Sequence, residues 1–75
     1  PSTVISYWLT SPGSVRLSVY DMIGREVEVL VDGWQEAGAH SVVWNVGGRR
    51  VATGVYLAKV TTDGHSAVHR MTVVQ

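Results

Sequence analysis

Histidine and carboxylate side chains are the groups in this chain that could do chemistry, and their spacing limits what they can do. His65 and His69 stand four residues apart. On a helix that spacing makes a metal-binding pair. On a strand, at about 3.3 Å per residue, it separates the two by roughly 13 Å. His40 is isolated in sequence, and the chain has no cysteine, so a zinc site lacks its third and fourth ligands. Serine, histidine and aspartate all occur, but no Gly-x-Ser-x-Gly elbow exposes a nucleophile. The six carboxylates, Asp21, Glu26, Glu28, Asp32, Glu36 and Asp63, fall in turn signals or at outward strand positions. Nothing there buries two of them together, as an acid–base pair with separated pKa values requires. Asp21 with Asp32 could hold a loop calcium, but solvated turn carboxylates are the simpler reading. No catalytic residue, metal ligand or cofactor site is expected.

Charge and size narrow the classes further. Net charge is zero, and the six Lys and Arg residues are scattered. Nucleic-acid binding needs a basic stripe that displaces counterions, and none is visible. Arg49-Arg50 beside Gly47-Gly48 reads as a solvated loop tip. No apolar run approaches the ~20 residues of a membrane span. Seventy-five residues make one domain, residues 1–75. A core of this size supplies only about 3–5 kcal/mol of net stability. Its apolar residues are needed for packing, which leaves little room for an internal pocket of about 300 Å³. An enzyme is not expected.

The positioning elements are strands. Residues 3–9 alternate, with Ile5, Tyr7 and Leu9 on one face and Ser6 and Trp8 on the other. Ser11-Pro12-Gly13 is a turn in which Gly accepts a positive φ. Residues 15–20 alternate again, with Val15, Leu17 and Val19 inward and Arg16 and Ser18 outward. Asp21 to Gly24 closes a tight connection, with Asp21 capping it through its own backbone. Residues 25–31 form a third strand whose period breaks at Leu30 and Val31, so a bulge is expected near Val29-Leu30. Asp32-Gly33 reads as a turn and Trp34 to Gly38 as a loop. Residues 39–45 place His40, Val42 and Trp44 on one face, with Trp44 as the central core residue. Thr53-Gly54 marks a kink. Residues 55–61 place Tyr56, Ala58 and Val60 together, Thr62-Asp63-Gly64 is a hairpin turn, and residues 66–74 close the domain with Ala67, Met71 and Val73 inward. That is six strands, or seven if Val51-Ala52 pairs, and the fold class is an all-β antiparallel sandwich.

Most singled-out residues read as structural. Gly24, Gly38 and Gly54 relieve backbone strain. Tyr20-Asp21 and Tyr56 anchor sandwich corners, with the phenol bonding to backbone. Trp8 and Trp34 stand apart. As exposed indoles they would stack on sugar rings or anchor an interface; otherwise they cover a sheet edge or the open end of the sandwich. The last strand, if it lies at an edge, offers unpaired backbone groups to a partner strand, with Arg70, Thr72 and Gln75 supplying side-chain recognition.

Several strings, taken in order, resemble known families. Residues 15–27 match a V-x-L-x-V-Y-D-x-x-G-R-x-V signature. The likeness continues through residues 30–33 and 37–45, resumes at 51–56 and ends at 70–74. Together these are similar to the C-terminal sorting domain of type IX secretion cargo and to the Ig-like domain of the flagellar hook-cap protein. The opening residues 1–7 look like the start of the sorting domain just after its Pro-Asn-Pro. The chain departs from that family in lacking the opening Asn, in carrying Arg70 where Lys is favoured, and in finishing on Gln75. The resemblance implies an Ig-like sandwich at the C-terminus of a larger exported bacterial protein, of which this chain is a fragment. Its location would be secreted or cell-surface, reached through the periplasm. It implies no cofactor and no catalysis. The first expectation is a sorting domain read by the outer-membrane secretion machinery. The alternative is an accessory Ig-like module retained in the mature protein, partnered by the upstream domain, by glycan or by other subunits.

Overall fold

The computed structural model describes residues 2–45 and 51–74. Six strands follow in chain order: β1 (Ser2–Leu9), β2 (Gly13–Tyr20), β3 (Glu26–Gln35), β4 (Gly38–Asn45), β5 (Gly54–Thr62) and β6 (His65–Val73). Val51-Ala52 does not form a strand. All pairings are antiparallel. They build two sheets of unequal width, a two-stranded ribbon β1-β4 and a four-stranded sheet in the order β3-β2-β5-β6.

Alternation along the strands supplies the core between the sheets. Ile5 and Leu9 of β1 and Trp44 of β4 face Val15, Leu17, Val19, Tyr56, Ala58, Val60 and Val73 of the wider sheet. Each apolar side chain removed from water contributes about 1.5–3 kcal/mol, and that set is the principal stabilising term of so small a domain. Trp44 sits at its centre, with its ring edge-on to Tyr56 at 5.5 Å between centroids.

Two tight turns have clear causes. In the β2–β3 turn, Asp21 Oδ1 accepts the backbone N–H of Ile23 (3.1 Å) and of Arg25 (2.9 Å), and Gly24 takes φ of +89°. In the β5–β6 hairpin, Gly64 takes φ of +76° between the paired residues Thr62 and His65. Gly13 differs from the expectation, since it has no left-handed φ. A Cβ there would lie 3.3 Å from Asp63 Oδ2, the end of an exposed side chain that would have to shift by a few tenths of an ångström.

The third strand is longer than the sequence suggests. No turn forms at Asp32-Gly33; β3 continues through Trp34 to Gln35, because β2 offers its whole length as a ladder from Gly13↔Gln35 to Tyr20↔Glu26. The chain reverses instead at Glu36-Ala37, beside Gly38 with φ of +118°. Two residues of β3 have no opposite number on β2. Leu30 is skipped between the pairs Leu17↔Val31 and Ser18↔Val29, and Val27 between Val19↔Glu28 and Tyr20↔Glu26. The first is the bulge that the broken alternation anticipates; the second sets Glu26 opposite Tyr20. Gly54, expected to relieve strain at a kink, opens β5 without a left-handed φ.

Some positions depart from simple alternation. Ser18 faces outward by register yet is buried, between Val29 and Lys59 on the neighbouring strands, and its hydroxyl has no partner. Ala67 and His69 face inward by register yet are exposed. Among the described residues the ribbon has two strands and leaves this half of β6 uncovered.

Candidate functional site

The groups that could have formed a catalytic or metal site are dispersed. His40 stacks on Tyr7 at 5.4 Å, and its Nε2 donates to the Glu36 carbonyl (2.6 Å). His65 and His69 lie on β6. Asp32 is exposed and joins Arg16 (3.4 Å), which also reaches Glu26 (3.2 Å) across the outer face. Exposed pairs of this kind contribute little to stability. Asp21 is engaged by Arg25, Nε to Oδ2 at 3.0 Å, and does not meet Asp32. Among the described residues no three His, Asp or Glu side chains gather as a metal site would need. No helix among them is long and apolar enough to cross a membrane.

One carboxylate departs from its expected outward position. Glu28 accepts the indole N–H of Trp44 at 3.2 Å; lying between the two bulges, it pairs with the inward-facing Val19 and so turns toward the ribbon. The contact satisfies the buried indole and is structural. The Tyr56 phenol donates to the Ala52 carbonyl four residues upstream (2.6 Å), a corner-anchoring bond. Tyr20 differs, since its hydroxyl meets the Glu26 carboxylate at 3.5 Å rather than a backbone group. Tyr7 donates to Gln35 and ties β1 to the end of β3. Burial raises its phenol pKa, and the Gln35 bond pulls part of that shift back.

Asp21 carries the clearest lowered carboxylate pKa. The Arg25 backbone N–H is the largest cause, ahead of desolvation, which opposes it; the Arg25 guanidinium and the Ile23 N–H add to the lowering. A depressed folded pKa contributes stability that is present above the unfolded aspartate value and lost as pH falls through the folded one. An NMR pH titration is therefore expected to place the Asp21 carboxyl midpoint below that of free aspartate, with the Arg25 amide shifting in step. A midpoint at or above the free value would contradict the capping role.

What the fold presents to a partner is surface. Even-numbered residues of β1 and odd-numbered residues of β4 share the outer face of the ribbon. There Val4 (63% exposed) lies directly opposite Val43 (56%), and Trp8 (69%) lies opposite Ala39. This is an apolar outer face on a sheet with nothing stacked on it. Trp34 (66% exposed) projects from β3 opposite Ser14 on the outer face of the other sheet, within a strand rather than a loop. The two indoles therefore belong to different sheets. Arg70 and Thr72 are exposed on β6, which is an edge strand. Gln75 and Arg49-Arg50 lie outside the described residues.

The second surface feature is a seam between β1 and β6. A groove of about 560 Å³ runs along the second half of β1, past the following turn and against Val60, Thr62, His65 and Ala67. A groove of about 320 Å³ continues along the first half of β1 against residues 69–72. Ser6 and His69 line both. These volumes lie beside the core, where the narrow sheet ends, and not inside it.

A family model described as FlgD Ig-like domain matches residues 2–66. No curated protein and no solved structure matches the chain.

Proposed function

The chain belongs to the FlgD Ig-like domain family, and from that premise we propose that it is a non-catalytic accessory module, whose work is to join an exported bacterial protein to a neighbouring protein surface. The observation that carries this reading is the outer face of the ribbon, where Trp8, Val4, Val43 and Ala39 form an apolar patch on a rigid strand pair. Aromatic residues set among aliphatic ones are typical interface anchors. A sugar-binding platform needs hydrogen-bonding groups beside the indole, and on the outer face of the ribbon Trp8 has Ala39 opposite it and the Ser6–Ser41 pair next along, followed by Val4 and Val43. A protein partner is therefore favoured over glycan. A type IX sorting role rests on the sequence strings alone, and the matched family favours the retained module over it.

The reading has a direct test. Trp8→Ala and Trp34→Ala are each expected to change the melting temperature of the 75-residue chain by no more than a few degrees, since exposed positions contribute within about ±0.5 kcal/mol. In the longer polypeptide that carries the domain, Trp8→Ala is expected to speed proteolysis at the domain junction or release a bound subunit. Unchanged proteolysis and assembly would overturn the reading. Trp8-dependent retention on immobilised polysaccharide would replace the protein partner with glycan.

A further inference from the structure

The seam between the sheets is the place where an Ig-like sandwich of this kind is unfinished. β1 hydrogen-bonds to β4 on one side, and its other side belongs to no ladder among the described residues. That free side faces β6 along the two grooves. On β6 the inward register runs through Ala67, His69, Met71 and Val73. Val73 is buried and Met71 is half-buried, but Ala67 and His69 are exposed because no strand of the ribbon lies above them. An open backbone edge and an uncovered inward face thus meet in one trough. β1 carries no charged residue and no proline, the usual devices by which a free edge repels another strand.

We propose that this trough accepts an extended, neutral-to-acidic polypeptide segment, which adds to the free side of β1 as a third ribbon strand and directs a carboxylate toward His69. A strand meets both demands of the trough together. Its N–H and C=O groups repeat at about 3.3 Å per residue in register with the edge, and its side chains enter at every second residue. A compact ligand satisfies one or the other. The opposing inward positions set the pattern: an apolar residue over Ala67, an acidic one over His69, and an apolar one over Met71. The polar lining points the same way. His65 and His69 offer imidazole N–H donors and Arg70 a positive charge, whereas the trough's one carboxylate, Asp63, stands at the far end by the hairpin. Trp8 borders this trough as well as the outer face of the ribbon, but the contacts proposed here are those of the β1 backbone edge and His69, so either reading can fail without the other.

The test uses the isotope-labelled 75-residue chain and two synthetic peptides of about nine residues, a length that spans one strand. Both carry valine, a charged residue and valine at successive alternate positions; the charged residue is aspartate in one and lysine in the other. The expected result is saturable amide shifts confined to β1 and the inward positions of β6, with the aspartate peptide bound roughly tenfold more tightly than the lysine peptide. His69→Glu, at an exposed position, is expected to reverse that preference with the melting temperature nearly unchanged. Val68→Glu, on the opposite face of β6, should leave it intact. The proposal is overturned if neither peptide gives saturable shifts at millimolar concentration, if the shifts map to β3 or to the outer face of β6, or if His69→Glu keeps the aspartate preference. Self-association of the chain through β1 would also overturn it, by giving the edge to a second copy.

Discussion

Trp44→Ala is expected to leave the domain largely unfolded at 25 °C. Trp44 is 1% exposed, stacks edge-on against Tyr56 and donates its indole N–H to Glu28. Truncating a buried indole removes its transfer free energy and leaves a cavity, for a loss of about 3–5 kcal/mol. That equals the roughly 3–5 kcal/mol that a core of this size supplies in total. The substitution also removes the hydrogen bond by which Trp44 ties β4 to Glu28, on the strand that carries both bulges. Collapse of amide dispersion in a proton NMR spectrum, with loss of near-ultraviolet circular dichroism, is the expected outcome. A cooperative denaturant transition with a midpoint close to that of the parent would show that the two sheets are held by something other than this indole.

Leu17→Ala comes second, with an expected loss of about 3 kcal/mol. Leu17 is fully buried, with Val31 beside it on β3 and Val60 beside it on β5. Both neighbours are β-branched residues in fixed ladders, so they cannot close over the void, which places the cost in the cavity rather than in relaxation. Urea unfolding should show a large fall in midpoint with little change in slope, the signature of lost stability without altered compactness. Val4→Ala, on the exposed face of the ribbon, is the matching control and should stay within about ±0.5 kcal/mol. A small effect at Leu17 together with a large one at Val4 would mean that the ribbon packs on its other face.

The two substitutions bear on different parts of what the sequence discloses. Trp44 and Leu17 are recognisable as inward residues from alternation alone, because a pleated strand sends successive side chains to opposite faces whatever lies beside it. Turn chemistry is equally local. Asp21 with Gly24, and Gly64 in its hairpin, satisfy their own backbone within a few residues. The bulge at Leu30 is visible as a stumble in the period. Asp32-Gly33 misleads for the opposite reason. It carries turn residues, but a ladder with β2 is available there and holds the backbone extended through Gln35. Glu28 is the residue that sequence reading placed on the wrong side: it sits between the two bulges, and their register shifts against β2 set it opposite the inward-facing Val19.

The candidate surfaces divide in the same way. That Trp8 opposes Ile5, Tyr7 and Leu9 is written in the period of β1. That it stays exposed beside Val4 and Val43 depends on nothing stacking over the ribbon. Trp34 reads as a loop residue and becomes a strand residue because β3 is extended by its partner.

By itself the sequence determined that the chain is all-β, where most strands run, how two turns close, and which indole fills the core. These depend on the two-residue repeat of the pleat and on hydrogen bonds made within a few residues. Only the tertiary structure decided the order of the strands and the width of each sheet, and with them the exposure of Ala67 and His69 beside a bare edge of β1. Strand neighbours are chosen by contacts between residues far apart in the chain, and no local pattern records how many strands a sheet contains.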